Sequence, residues 1–273
     1  MRPVWPGVIL LLWALVALTA PWLPLQPERI ELQAILQGPF QSFWLGADDL
    51  GRPVLDRVLV GARTSFLVAA WVVTLSVAVG TLLGSMAAYI GGIWDRALVM
   101  VIDIFMAFPG ILLAIALAGL LGPGIDNLVL ALTLVGWVGY ARLARAQVLS
   151  VRHREHVLAA RALGSGTVRI VSRHLVPLIS APLVVEATFG VAAVVVAESG
   201  LSFLGLGVQP PEASWGSMIR DGVRYMLVAP HLVLVPGSLL FLVVLSVNLL
   251  GDRLRDYLDV RSAGTVTGQG TGK

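Results

Sequence analysis

Residues 155–177 read EHVLAARALGSGTVRIVSRHLVP, a polar, arginine-bearing stretch set between two long apolar runs. Between Arg142 and Arg173 stand seven arginines (142, 145, 152, 154, 161, 169 and 173) against one acid, Glu155. Loops rich in arginine stay on the cytoplasmic side of membrane spans. The charge therefore places this stretch inside, and the other loops are assigned relative to it.

Residues 157–163 suit a short alanine-rich helix, which Gly164-Ser165-Gly166 breaks because glycine is costly in a helix interior. Thr167 is placed to cap a second helix. In it Val168, Val171, Leu175 and Leu178 recur at helical spacing, while Arg169 and Arg173 fall one turn apart on another face. Ala159 and Ala160 carry little side chain, so the turn can approach another protein closely, with the arginines available to acidic groups there. The plainer alternative is a basic loop resting against lipid headgroups.

Composition supports a membrane setting. With 57% hydrophobic and 13% charged residues, the chain is more apolar than a soluble domain of its length requires. Cysteine is absent, which removes disulfides and thiolate metal sites. The net charge of +3 follows membrane topology, since no basic stripe is interleaved with exposed aromatics as a nucleic-acid surface would need.

Six apolar stretches of about 20 residues, the length of a spanning helix, can be drawn. They are 4–23, 66–90, 97–121, 125–149, 178–207 and 231–250. Arg2 and the run 8–20 imitate a signal peptide, but no small-x-small cleavage site precedes Pro21, so the first stretch is read as an anchor. Residues 25–65 hold four arginines against five acids, so they are placed outside. Gly80 and Gly84 form a small-residue face on the second span, with Ser76, Thr81 and Ser85 as internal polar groups. Phe108-Pro109-Gly110 interrupts and bends the third. Trp137 and Tyr140 are expected near the inner interface, and 215–230 as an outer loop with an amphipathic piece suited to the membrane surface. Summing charges on this topology gives thirteen basic residues inside and six outside, so both termini are cytoplasmic. The expected divisions are 1–65 (anchor and outer segment), 66–261 (spanning domain) and 262–273 (a disordered Gly/Thr-rich tail).

A charge near the bilayer centre costs about 2.5–3.5 kcal/mol on insertion scales. Asp103, Glu186 and Glu198 must then line a path or gate, or else fix packing against a partner; both readings stand. Asn248 joins them as a path candidate, with interhelical bonding its simpler role. Asp48, Asp49, Asp56, Arg52 and Arg57 read as solvated ion pairs worth little each. His153, His156, His174 and His231 are too dispersed for a metal site, and the C-terminal Gly-Thr-Gly-Lys lacks the first glycine and following hydroxyl of a phosphate loop. No nucleophile and base stand together, so the chain is read as no enzyme and an intramembrane enzyme is a distant third class.

Several stretches resemble one family. Ala159-Ala160-x-x-x-Gly164, nine residues, then His174-x-Val176-Pro177 is similar to the cytoplasmic loop of ABC-importer permeases, Glu-Ala-Ala-x-x-x-Gly with Ile-x-Leu-Pro nine residues later. Leu158 stands where that family has its acid, and His174 where it has isoleucine. Leu45-Gly46-Ala47-Asp48-Asp49-Leu50-Gly51-Arg52, then Gly61-Ala62-Arg63-Thr64-Ser65, resembles the dipeptide, oligopeptide and nickel subfamily. So does the run 197–211, AESGLSFLGLGVQPP, followed by Ser214-Trp215-Gly216, and so does the ending 251–261, GDRLRDYLDVR. The resemblance implies an all-α type I permease with six spans in a bacterial cytoplasmic membrane, close to the C-type subunit of dipeptide importers. It further implies that Leu158, Ala159, Ala160, Gly164, His174 and Pro177 dock into a groove of a separate ATPase subunit. The implied partners are a second permease, one or two ATPase subunits, an extracytoplasmic substrate-binding protein and lipid. No cofactor is implied for this chain; ATP and magnesium belong to the ATPases. The implied cargo is dipeptide or short oligopeptide, with nickel or another small solute as the alternative. An ion-coupled secondary transporter is the competing class, in which the acids bind protons or sodium; it calls for inverted repeats, and no internal repeat is evident.

Overall fold

The computed structural model describes residues 4–264, with side chains through Leu258. Among them every regular element is helical, apart from an isolated bridge between Ala47 and Pro53. Of the tail expected over 262–273, residues 262–264 are helical, and 265–273 lie outside the described residues. Five helices are long and apolar enough to cross a membrane, and a sixth span is completed if one broken pair is counted as one.

Helix α1 (Trp5–Thr19) carries Pro6 in its first turn, where a missing N–H leaves no bond unmade, and gives way to a 3-10 turn at Ala20–Trp22. Helix α2 (Val54–Ile90) starts twelve residues before the expected 66, because Val54, Val58 and Ala62 recur at helical spacing and are all buried. At its 37 residues it is about 55 Å long. The third span is two helices, α3 (Gly92–Met106) and α4 (Gly110–Leu121). Ala107 N–H still bonds to Asp103 O, Phe108 N–H reaches back only to Phe105 O at 3.4 Å, and Pro109 has no N–H to continue the ladder. At about 22 and 18 Å, neither piece alone crosses about 30 Å of hydrocarbon. Then follow α5 (Ile125–Val151), α6 (Glu155–Ala162), α7 (Thr167–Ile170), a π turn at Val171–Leu175, and α8 (Val176–Leu178). The chain ends with α9 (Ser180–Phe203), α10 (Trp215–Val223) and α11 (His231–Gly264), the last running well past the expected 250.

The chain divides into two compact units. The first is built from the chain up to Val72, Ile111–Leu132 and Val191–Val247. Its core gathers Trp13, Ala62, Ala69, Ala192, Val195, Trp215, Val243 and Val247. The Trp13 indole donates to Ala62 O at 3.0 Å and stacks on Trp215 at 6.1 Å, and Trp215 donates to Val58 O at 3.2 Å. Trp215 and Met218 of the expected surface piece are thus spent on the protein, since a buried indole needs an acceptor and α2 supplies one, while Val223, Met226, Leu227 and Val228 stay exposed. A reciprocal Ser214–Ser217 cap starts that helix.

The acidic loop before α2 is also not solvated. Asp48, Arg52 and Arg57 are each less than a tenth exposed. Asp48 Oδ1 accepts from the N–H groups of Leu50 and Arg52, and Oδ2 from Arg52 Nε at 2.7 Å, with Arg57 Nε at 3.4 Å. Met218 and Leu232, brought in from distant parts of the chain, line the small enclosed space beside this cluster. Burial, with Asp48 as the nearest like charge, raises the Asp49 carboxyl above the usual carboxylate range, against the pull of Arg52. A raised carboxyl keeps its proton longer in the folded state, so stability falls as pH climbs from the unfolded value through the folded one, and the penalty is fully present above that. Asp49→Asn is therefore expected to raise the midpoint of thermal unfolding at neutral pH and leave it unchanged in acid, measured by intrinsic fluorescence in detergent.

The second unit is built from Val73–Gly110, Thr133–Gly190 and the chain from Asn248 on. Here the expected glycine face is realised. A Cβ on Gly80 would stand 2.5 Å from Trp137 O, and one on Gly84 would overlap the Ala141 carbonyl oxygen, so α2 and α5 meet backbone to backbone. Trp137 and Tyr140 lie in this contact, at 9% and 6% exposure. Gly251 plays the same part for α11, its missing side chain replaced by the Phe189 ring.

Candidate coupling site

The 155–177 loop is rooted in the second unit. Helix α6 buries Val157 and Ala160 in one cluster with Ala88, Tyr140, Val148, Val151, Ile170, Leu175 and Leu183. Helical spacing thus divides the alanine pair: Ala160 faces the protein's own core, and only Ala159 is presented outward. The helix closes with Ser165 N–H on Ala160 O and Gly164 N–H on Arg161 O, the paired bonds of a Schellman turn. Gly164 has φ +80° there, which an L side chain resists, although the space around it is open. The second helix is capped by Gly166, with no side-chain cap from Thr167. It widens at once into the π turn, where Val176 N–H bonds to Val171 O. Pro177 has no N–H to offer, and the wide turn is how the chain takes it in without stopping.

The seven arginines separate by task. Arg145 grips Asp95 with two parallel bonds of 2.6 and 2.8 Å, fixing α5 to α3. Arg152 donates to Ala88 O at 2.9 Å, a cation on the C-terminal carbonyls of α2. Arg142 lies against Met106. Arg154, Arg161, Arg169 and Arg173 are exposed, with no ion-pair partner among the described residues. Leu158 and Pro177 are exposed as well, and His174 is half-buried.

The candidate path residues are divided between the two units, Glu198 in the first and Asp103, Glu186 and Asn248 in the second. Glu198 belongs to the first unit and is completely buried. It accepts from Ser65 Oγ at 2.9 Å, Ser202 Oγ at 2.9 Å and Ser199 Oγ at 3.2 Å. Ser202 Oγ in turn accepts from Val208 N–H. This carboxylate ties α2 to α9 and touches no open space. Glu198→Ala leaves those hydroxyls unpaired beside a cavity and is expected to cost about 2 kcal/mol of stability in chemical unfolding. Glu198→Gln is expected to cost less, since its amide keeps the shape but turns a donor toward donors. In the second unit Asp103 is exposed on α3, in an open hollow of ≈ 660 Å³ lined also by Arg96, Met100 and Arg145. Glu186 is exposed on α9 in another of ≈ 560 Å³, with Gln147, Phe189 and Arg255. Asn248 is half-buried and partnered. The Asp95–Arg145 fork and the serine cage of Glu198 had no sequence signal beyond an acid and a base, or a hydroxyl, far apart in the chain.

Five or six apolar helices with an arginine-rich, exposed loop between two of them define a multi-span membrane protein. The family model described as binding-protein-dependent transport system inner membrane component matches residues 80–263. The nickel transport system permease protein NikC of Escherichia coli K12 is 41% identical over 92% of this chain and 91% of its own length. The dipeptide permease DppC of Alkalihalophilus pseudofirmus is 42% identical, covering 82% of this chain and 74% of itself. The glutathione permease GsiD of Escherichia coli O157:H7 is 40% identical, covering 94% and 86%. A solved structure of inward-facing conformations of the MetNI methionine ABC transporter shares the fold, with a TM-score of 0.53 at 20% identity over 74% of this chain and 95% of that one.

The chain belongs to the family of binding-protein-dependent transport system inner membrane components. It is a permease subunit of an ABC importer, not itself an enzyme, and separate ATPase subunits hydrolyse ATP. The ion-coupled alternative falls to this membership.

Proposed function

We propose that the chain is one of two permease subunits enclosing a path for dipeptides or short oligopeptides, delivered by an extracytoplasmic binding protein. Both termini are cytoplasmic in this reading, which rests on the thirteen-to-six distribution of basic residues. Peptidic cargo is favoured because two of the relatives, DppC and GsiD, are named for a dipeptide and for glutathione, itself a tripeptide. The nickel permease is as similar, so a nickel complex is the second reading. The ligand carried by the binding protein that co-purifies with the transporter decides between them.

The observation that carries the mechanism is the elbow itself: a rigid turn at Gly164, rooted in a buried cluster and exposed at its tip. ATP-driven closure of the ATPases moves residues 155–177 as a lever and shifts the spans between inward-open and outward-open arrangements. Asp103 and Glu186 face open hollows and remain the candidates for the path wall. Glu198 is better suited to holding α2 and α9 together. Gly164→Val places a branched side chain at φ +80°, at a cost of about 1–2 kcal/mol to the turn but with no clash around it. Reconstituted transporter carrying this variant is expected to hydrolyse ATP with transport reduced several-fold per ATP. An unchanged ratio would sink the lever.

A further inference from the structure

The tip of the elbow is chemically mixed in an unusual way. Leu158, Leu163 and Val168 are 46%, 87% and 69% exposed, on a loop whose charges place it in water. The unpaired arginines 154, 161, 169 and 173 stand among them. A hollow of ≈ 540 Å³ opens beside α6, lined by Tyr89, Arg152, His153, Leu158, Arg161 and Thr167 among others.

A helix that lies on a bilayer keeps apolar and basic residues on opposite faces. Here Leu158 and Arg161 are three residues apart on α6, so they share a face. A hollow of this size is also filled by a side chain that projects into it, which a flat membrane surface does not provide. Exposed leucines in the centre of a contact bring affinity when covered, and arginines around them seek carboxylates.

Resting on the reading of residues 155–177 as the ATPase-docking element, we infer that the ATPase surface receiving this loop is apolar where it meets Leu158 and Leu163 and acidic around that centre. Leu158 is decisive. A carboxylate at this place would call for a basic residue opposite; a leucine leaves such a residue desolvated and unpaired, so an ATPase built for the acid is rejected. The permease thereby selects its motor subunit by an apolar contact where the resembled pattern has an acid.

The test uses the complete transporter in nanodiscs containing phosphatidylglycerol. A photo-crosslinking residue at position 163 is expected to form adducts with the ATPase chain; adducts confined to lipid overturn the inference. Leu163→Asp and Leu158→Glu are exposed changes that leave the fold intact, and each is expected to lower ATPase retention on the purified permease by about tenfold or more. The double variant Arg161→Glu/Arg169→Glu is expected to dissociate more readily and to lose the weakening by salt shown by the unchanged protein. Replacing 155–162 with glycine and serine separates the two levels. If retention survives that replacement, the docking reading fails and this inference with it. If the replacement abolishes retention but the leucine and arginine variants have no effect, the surface chemistry alone fails.

Discussion

Asp48→Ala is expected to cost the permease about 3–5 kcal/mol, the range seen when one partner of a buried ion cluster is removed. The variant strips Arg52 and Arg57 of the carboxylate that both address, while each stays less than a tenth exposed. It also frees the N–H groups of Leu50 and Arg52, which hold the loop against the start of α2. Arg57 already has one buried N–H, at Nη1, without a partner, so the site has no slack to absorb a second loss. Denaturant titration of the detergent-solubilised protein would measure the loss. A change under 1 kcal/mol would mean that the cluster is hydrated, as exposed pairs are.

Gly84→Leu is expected to be as severe for a different reason. The new side chain would enter the backbone of Ala141, where no rotamer change can make room. Overpacking against flexible side chains costs about 1–3 kcal/mol, and against backbone the cost reaches at least the upper end. The contact separates α2 from α5 within the second unit, so correctly folded protein should disappear from size-exclusion profiles. Gly119→Leu is the control, since nothing approaches within 4 Å of the position its Cβ would take. Equal yields from the two variants would refute the close approach.

The readable parts of the sequence were those whose physics is local. Apolar length gave the spans, Pro109 the break in the third, Gly80 and Gly84 the packing face, and Gly164 the turn, because each depends on residues within a few positions of one another. The rest depends on what distant residues bring. Asp48 and Arg57 look solvated until Met218 and Leu232 arrive beside them. The burial of Trp137 and Trp215 is visible only once α1, α2 and α3 provide ring partners and an acceptor, as Phe105 does for Trp137 at 5.8 Å and Trp13 for Trp215 at 6.1 Å. The early start of α2 was hidden because its charged residues masked the inward row of Val54, Val58 and Ala62. At the candidate site, the sequence located the elbow and its arginines but not which of them are already engaged by Asp95 and Ala88.

Those two engagements decide how the elbow can respond to force. Arg145 forks onto α3 near the end of α5, and about two turns further along Arg152 clamps the end of α2. Both fastenings lie before the elbow, which a short turn at 152–154 joins to α5. Any load taken up at the tip passes on as torque to three helices at once, and the stiffness of that joint, more than the shape of the tip, sets how much of each stroke is kept.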